Sequence, residues 1–319
     1  MSVVKNYFIT GGAGFIGSHF LDRLLIEGSH QVTVYDNFSS GRSWHLATHR
    51  DCDRLTVVKA NLRELDRLVQ AMEGADVVIH LASNPDIARA ATDPDIDYRE
   101  GTDLTRNVAE AARLNKVPLV LYASGSGIYG DLGYQEVHED HGPLVPISTY
   151  GASKLAGEAL LCSYAYMFDS RVIAFRFANV VGARQTHGVA FDFIRRLREH
   201  PEHLDIMGDG TQSKAYIHVG DIVSAVLLAA EICDKPFQAF NVATPDALSV
   251  AEIADLVCAE LGLGSVEYRY SGGNRGWKGD VPVVRLATER IRALGWTPQL
   301  DSRQAMLSSI RAMLAEVPQ

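Results

Sequence analysis

The chain has 319 residues, enough for about two domains of roughly 150 residues each. Its 47% hydrophobic and 22% charged content is ordinary globular usage and excludes a disordered tail, a collagen-like rod or a disulfide-stapled miniprotein. A net charge of −9 argues against a nucleic-acid or anionic-membrane partner, yet leaves room for an anionic small molecule that needs only a few local cations.

No apolar run approaches the roughly 18 residues of a membrane helix, and the opening MSVVKNYFIT lacks the long apolar stretch of an export signal. A cytoplasmic location is expected. Cys52, Cys162, Cys233 and Cys258 form no CxxC pair and are expected to be free, structural thiols.

In chain order, Val3–Thr10 reads as a strand and Phe15–Gly28 as a helix, with apolar residues at Phe15, Ile16, Phe20, Leu21, Leu24 and Leu25. Strands follow at Gln31–Tyr35 and Leu55–Lys59, a helix at Glu64–Met72, and a strand at Ala75–Leu81. A helical pattern runs from about Asp95 to Leu114, then a strand at Pro118–Ala123, a helix at Thr149–Phe168 and a strand at Arg171–Phe177. Near-continuous apolar strands separated by helices predict a parallel sheet covered on both faces. Beyond Phe177 the rhythm loosens into helices at Val189–Glu199, Gly220–Cys233, Val250–Leu261 and Ser302–Ala315, with a compact loop at Ser271–Asp280.

Between the first strand and helix lies TGGAGFIG, Thr10–Gly17, in which Gly12, Gly14 and Gly17 fit GxGxxG and Gly11 precedes them. Such a loop needs one glycine for the turn, one to admit a pyrophosphate to the backbone and one for helix–strand contact. The phosphate then meets the positive helix N-terminus. Asp36 ends the next strand, where a carboxylate accepts from the adenosine ribose hydroxyls and repels a 2′-phosphate, favouring NAD over NADP. Asn61 and Leu62 follow the third strand, where a side-chain carbonyl can meet the adenine amine. His80-Leu81-Ala82-Ser83 follows the fourth strand, with His80 expected as a satisfied core histidine. The fold expected is α/β, a Rossmann-type doubly wound parallel sheet with a smaller, interleaved C-terminal α/β domain. Residues 1–178, with a return segment near 213–242, would form the first unit and 179–319 mainly the second.

Tyr150-Gly-Ala-Ser-Lys154 puts Tyr and Lys at i and i+4 on one helical face. A free phenol titrates near 10, too high for a base at neutral pH. A nearby ammonium and a nicotinamide cation both favour the phenolate and make Tyr150 a workable acid/base at a hydroxyl beside a hydride-transfer carbon. Of the chain's 30 basic residues only 7 are lysines, and Lys154 is one of them.

Together TGGAGFIG, Asp36-Asn37, HLAS, YGASK and RFANVVG (Arg176–Gly182) resemble the extended short-chain dehydrogenase/reductase family, and within it nucleotide-sugar epimerases of the UDP-glucose 4-epimerase type. The likeness extends to Thr186–Phe193, Met207–Asp221 and Gly272–Pro282. It implies that NAD is held by Gly11, Gly14, Phe15, Ile16, Gly17, Asp36, Asn37, Ser39, Gly41, Asn61, Leu62, Leu81, Ala82 and Ser83 together with Tyr150 and Lys154. It implies that Tyr150 takes the C4 hydroxyl proton of a UDP-hexose, that the 4-keto sugar turns over, and that hydride returns to its other face. Asn179, Thr186, Val189, Met207, Lys214, Arg275 and Asp280 would hold the nucleotide sugar: Met207 against the base, Lys214 on phosphate in place of the usual Arg, Asp280 on the nucleoside ribose. The family arginine normally lies three residues before that Asp, where this chain has Trp277. A homodimer through the two long helices near 100–114 and 150–168 is also implied.

Three further places depart from the family pattern. Gly125 stands where relatives carry the third catalytic hydroxyl, so Ser126, as first choice, Ser124 or a water would replace it. Glu100-Gly101 stands where relatives show paired Asn, and Asn61 replaces a usual Asp. A 4,6-dehydratase would need an Asp-Glu pair at Ser126-Gly127, and a decarboxylase a Glu in that loop; neither is there. The alternatives are such a nucleotide-sugar dehydratase or decarboxylase, disfavoured by the absent carboxylates, and a non-catalytic NAD-binding regulator of the same fold, favoured by the lost hydroxyl and disfavoured by Tyr150 and Lys154. His138-Glu139-Asp140-His141 has metal-ligand composition, but relatives carry acids there without a metal, and none is expected.

Overall fold

The computed structural model describes residues 4–26 and 29–316. Val3 of the predicted first strand and Glu27 and Gly28 of the predicted first helix lie outside the described residues, as do the ends of the two expected domains.

Seven strands form one parallel sheet: β1 (Asn6–Thr10), β2 (Gln31–Asp36), β3 (Leu55–Lys59), β4 (Val77–His80), β5 (Leu119–Gly125), β6 (Arg171–Phe177) and β7 (Phe237–Val242). Their spatial order is β7-β6-β5-β4-β1-β2-β3, the doubly wound arrangement expected. β4 and β5 are buried along their whole length, which is why they read as unbroken apolar runs. Helices cover both faces. α1 (Phe15–Ile26) turns Phe20, Leu21, Leu24 and Leu25 onto one side of the sheet, while α2 (Leu65–Ala71), α3 (Asp103–Leu114) and α4 (Thr149–Met167) cover the other.

The order reverses between β1 and β4. At such a switch point the loops leaving the two strands diverge and leave a crevice at their carboxyl ends. The glycine loop and Leu81–Ser83 form its walls, so close that a Cβ on Gly11 would lie 2.9 Å from the Ala82 nitrogen.

A second apolar core lies beyond the sheet. α5 (Val189–Glu199), α7 (Val250–Glu260) and α8 (Ser302–Ala315) meet there through Phe193, Leu197, Ile253, Val257, Met306 and Ile310. The chain returns to the main sheet twice. α6 (Val219–Ile232) and β7 do so first; Leu286, Ile291 and Trp296 then join the same core. Among the described residues no helix is long and apolar enough to cross a membrane.

The predicted helix from Asp95 differs from the observed one. Helical backbone starts at Ile96, but Tyr98–Thr102 form a π turn before α3. Gly101 permits it: any Cβ there would meet the Ser153 hydroxyl at 2.1 Å. The turn packs directly on the first turns of α4.

Candidate active site

One cavity of about 620 Å³ runs from the glycine loop to the Gly276–Val281 segment. At one end, Gly11 takes the left-handed turn (φ +70°). Gly12 packs on Val34, and a Cβ on Gly17 would fall 2.5 Å from the Gly11 oxygen. The first N–H groups of α1 have no partner within the helix, and Phe15 and Ile16 line the cavity. Asp36 accepts from Ala13 N (3.0 Å) and Phe38 N (2.7 Å). Burial raises its pKa, and these two donors oppose the shift. The Phe38–Arg42 segment folds back over the loop through Arg42 N to Ala13 O at 2.9 Å.

Asn37, Ser39, Asn61, Leu62, Leu81, Ala82 and Ser83 line this end with Gly14 and Gly17. Asn61 Oδ1 already accepts from Arg63 N at 3.0 Å. Gly41 does not line the cavity; it lets the loop close on Asp36, whose Oδ1 a Cβ would approach to 2.8 Å. The glycine cradle, the N-terminus of α1 and the Asp36 carboxylate, all at this end of the cavity, fit a dinucleotide. His80 is part of the floor: Nδ1 meets Thr10 Oγ1 (2.7 Å) and Nε2 meets Thr105 Oγ1 (3.0 Å), and burial pushes its pKa down to about 3. It is a neutral core residue.

Tyr150 and Lys154 stand at mid-cavity. Ser148 caps α4 by accepting from Gly151 N at 3.1 Å, so the helix starts where Tyr150 is presented. Lys154, 4% exposed, donates to Ala123 O at 2.7 Å and lies 5.6 Å from the Tyr150 ring centroid. Burial pushes Lys154 down to about 8, with Asp97 opposing. Burial, reinforced by Asp97, pushes Tyr150 up to about 12. The sequence argument that cations favour the phenolate is thus incomplete: the protein alone holds the phenol protonated, and added positive charge is needed to make it a base.

The loop opposite carries both candidate serines, and both line the cavity. Ser124, 3% exposed, has a sealed hydroxyl with no hydrogen-bond partner among the described residues; Ser126 is only half-buried. Gly125 has extended backbone (φ −163°) and no atom within 4 Å of a built Cβ. Behind the loop, Arg176 grips Glu158 (2.8 Å) and the Tyr129 hydroxyl (2.8 Å), and Tyr129 donates to Asn241 (2.7 Å). Glu139 joins this buried network by accepting from Asn241 N, while the exposed Asp140 accepts from Arg290 at the surface.

At the far end Asn179, Thr186, Val189, Met207, Lys214 and Asp280 all line the cavity. Lys214 is paired with Asp280 (2.6 Å), whose other oxygen accepts from Gly276 N (3.0 Å). Arg275 does not line the cavity; its guanidinium goes to Asp131 (2.5 Å) and to the Asp280 carbonyl. Sequence reasoning missed Gln212, His187, Arg196, Tyr216 and Trp277, all on the cavity wall. Gln212 is the most informative: 3% exposed, with neither amide atom hydrogen-bonded to any of the described residues. Its signal was a lone amide in the polar MGDGTQSK stretch. Asp97, 1% exposed, was also missed; it lies beneath Thr149 on the π-turn side.

The sequence model of the NAD dependent epimerase/dehydratase family matches residues 7–243. A UDP-glucose 4-epimerase of Mycolicibacterium smegmatis is 33% identical over 95% of this chain and 96% of its own. A solved UDP-galactose 4-epimerase is 38% identical, with a TM-score of 0.86 over 97% of this chain and 98% of its own. The Thermus thermophilus UDP-glucose 4-epimerase complex with NAD is 26% identical, with a TM-score of 0.86 over 98% of this chain and 100% of its own. The family model covers most of the chain, and the chain belongs to the NAD-dependent epimerase/dehydratase family.

Proposed function

We propose that the protein is an NAD-dependent nucleotide-sugar epimerase that inverts C4 of a UDP-hexose. The observation that carries this reading is one continuous cavity, in which the Tyr150–Lys154 pair stands between a glycine cradle and a second polar end. Its likeness to UDP-glucose and UDP-galactose 4-epimerases supports the substrate class.

Tyr150 exchanges the proton of the sugar hydroxyl, and Lys154 keeps an ammonium beside the phenol from its seat on Ala123 O. Bound NAD supplies a reversible hydride acceptor, so oxidation of the sugar carbon is undone on the opposite face and no net redox change results. Ser126 takes the place of the hydroxyl absent at Gly125, since the Ser124 oxygen is sealed. Lys214 binds diphosphate, which frees Asp280 for the nucleoside ribose, and Gln212 gives its unpaired amide to the nucleotide. Asn179, Thr186 and Val189 line the diphosphate region and Met207 the base. Four free thiols support a cytoplasmic setting. The exposed Leu114, Tyr166, Met167 and Phe168 at the ends of α3 and α4 support a homodimer.

The test is interconversion of UDP-glucose and UDP-galactose without added NAD. No turnover across UDP-, GDP- and dTDP-hexoses by protein that retains NAD would sink the proposal and leave a non-catalytic NAD-binding role.

A further inference from the structure

We propose that Asp97 is a positioning residue for Tyr150 and Lys154, a buried counter-charge that seats the first turn of α4 and keeps the Lys154 ammonium beside the phenol; the proposal rests on the catalytic reading above. Asp97 is 1% exposed. Its Oδ2 accepts from the Thr149 hydroxyl (2.7 Å) and its Oδ1 from the Asn84 amide (2.9 Å). Among the described residues no Lys or Arg forms an ion pair with it. A buried carboxylate served only by neutral donors is costly, so its place in the fold calls for a compensating charge nearby.

The geometry names that charge. Asp97 immediately precedes the π turn Tyr98–Thr102, and this stretch interlocks with α4 at two points. One is Thr149 on Asp97; the other is Ser153, which accepts from the Thr102 hydroxyl at 3.1 Å and excludes any side chain at Gly101. Thr149 precedes Tyr150 and Ser153 precedes Lys154, so the two contacts set both catalytic side chains in register. Other charged or titratable groups facing the pair are accounted for. His80 from β4 is neutral, and Tyr122 from β5 has its phenol pushed up by burial. Glu100 of the π turn pairs with Arg63, and Glu158 of α4 pairs with Arg176. Asp97 is left as the carboxylate whose field reaches the pair, raising Lys154 against its burial and Tyr150 in the same direction as its burial.

The test is Asp97→Asn in NAD-loaded protein. The Tyr150 phenol is titrated by ultraviolet difference absorbance against a Tyr150→Phe control in each background. Removal of the charge is expected to lower the phenol midpoint by about one pH unit. Both limbs of the kcat–pH profile should move to lower pH, because phenolate forms earlier and the ammonium is lost earlier. Thr149→Val, which keeps the charge and cuts the hydrogen bond, should lower kcat and leave both limbs in place. Asp97→Ser is the second charge-removing variant. An unmoved phenol titration in whichever of the two holds NAD overturns the proposal, and loss of NAD and fold in both overturns it in favour of a purely structural role. A shifted titration without turnover of any nucleotide sugar would sink the epimerase reading and leave Asp97 standing. Turnover with an unmoved titration would do the reverse.

Discussion

The two ends of the cavity are built differently. At the glycine-loop end the shape is set by backbone: Gly11, Gly12 and Gly17 fit where no Cβ can, and Asp36 is fixed by two main-chain N–H groups. At the far end the polar groups satisfy one another or nothing. Lys214 is spent on Asp280, Arg275 on Asp131, and Gln212 is unpaired. The first end is complementary to its ligand before binding. On the proposed reading the second would exchange an internal ion pair for ligand contacts, so that part of its interaction energy would go into breaking Lys214–Asp280. A tightly held dinucleotide and an exchanging sugar nucleotide are what such an asymmetry would produce.

The largest expected effect lies where the two ends meet. Tyr150→Phe should reduce turnover by about 10²–10⁴-fold, the usual worth of a positioned acid/base, and leave NAD content unchanged by absorbance of the denatured extract. Loss of NAD in that variant would show the middle of the cavity to belong to the cofactor end. Gly17→Ala should disrupt the rigid end, because the added methyl must displace Gly11 O and Gly12 Cα. Protein purified without NAD and a stability loss of about 1–3 kcal/mol in denaturant melts are expected; a variant that melts and binds like the parent would contradict the backbone cradle.

Lys214→Met probes the adjustable end. It should raise the KM for nucleotide sugar by about 10–100-fold, the worth of one charge-assisted hydrogen bond, with kcat and NAD content little changed. A kcat effect alone would remove Lys214 from binding. Beneath the rigid end, His80 and His19 are held neutral by burial, pushed to about 3 and about 4 from 6.5. The unfolded chain therefore takes up protons that the folded one refuses as pH falls below about 6.5, and stability should fall from there toward pH 4. His80→Gln should flatten that slope in melting temperature against pH; an unchanged slope would remove His80 as its source. The smallest structural effect is expected at Gly125→Ser, within about 0.5 kcal/mol, because the site is extended and open. A several-fold gain in kcat would indicate that the hydroxyl is the missing part; a loss would mean Ser126 already fills that role.

Legibility follows the same division. The parallel strands, the glycine loop, Asp36 and Tyr150-x-x-x-Lys154 were readable because each rests on short-range rules, the apolar run of a buried strand, the sterics of a turn and the i, i+4 face of a helix. Arg275 could be placed only by resemblance. In the folded chain it turns to Asp131, 144 positions away, a distance at which local pattern carries no information. The π turn was equally hidden, since Tyr98–Thr102 has helical composition and departs from α geometry to fit Gly101 against Ser153.

By itself the sequence determined the fold class and the glycine-loop end, and it singled out Tyr150 and Lys154 as the proposed acid/base pair, because those readings depend on spacing within one or two elements. Only the tertiary structure decided which polar groups are already engaged. It joined Lys214 to Asp280, left Gln212 without a partner and set Asp97 beneath Thr149. The charge state of Tyr150 depends on that assembly, because burial and a carboxylate 53 positions earlier in the chain act on it through space and not along the sequence.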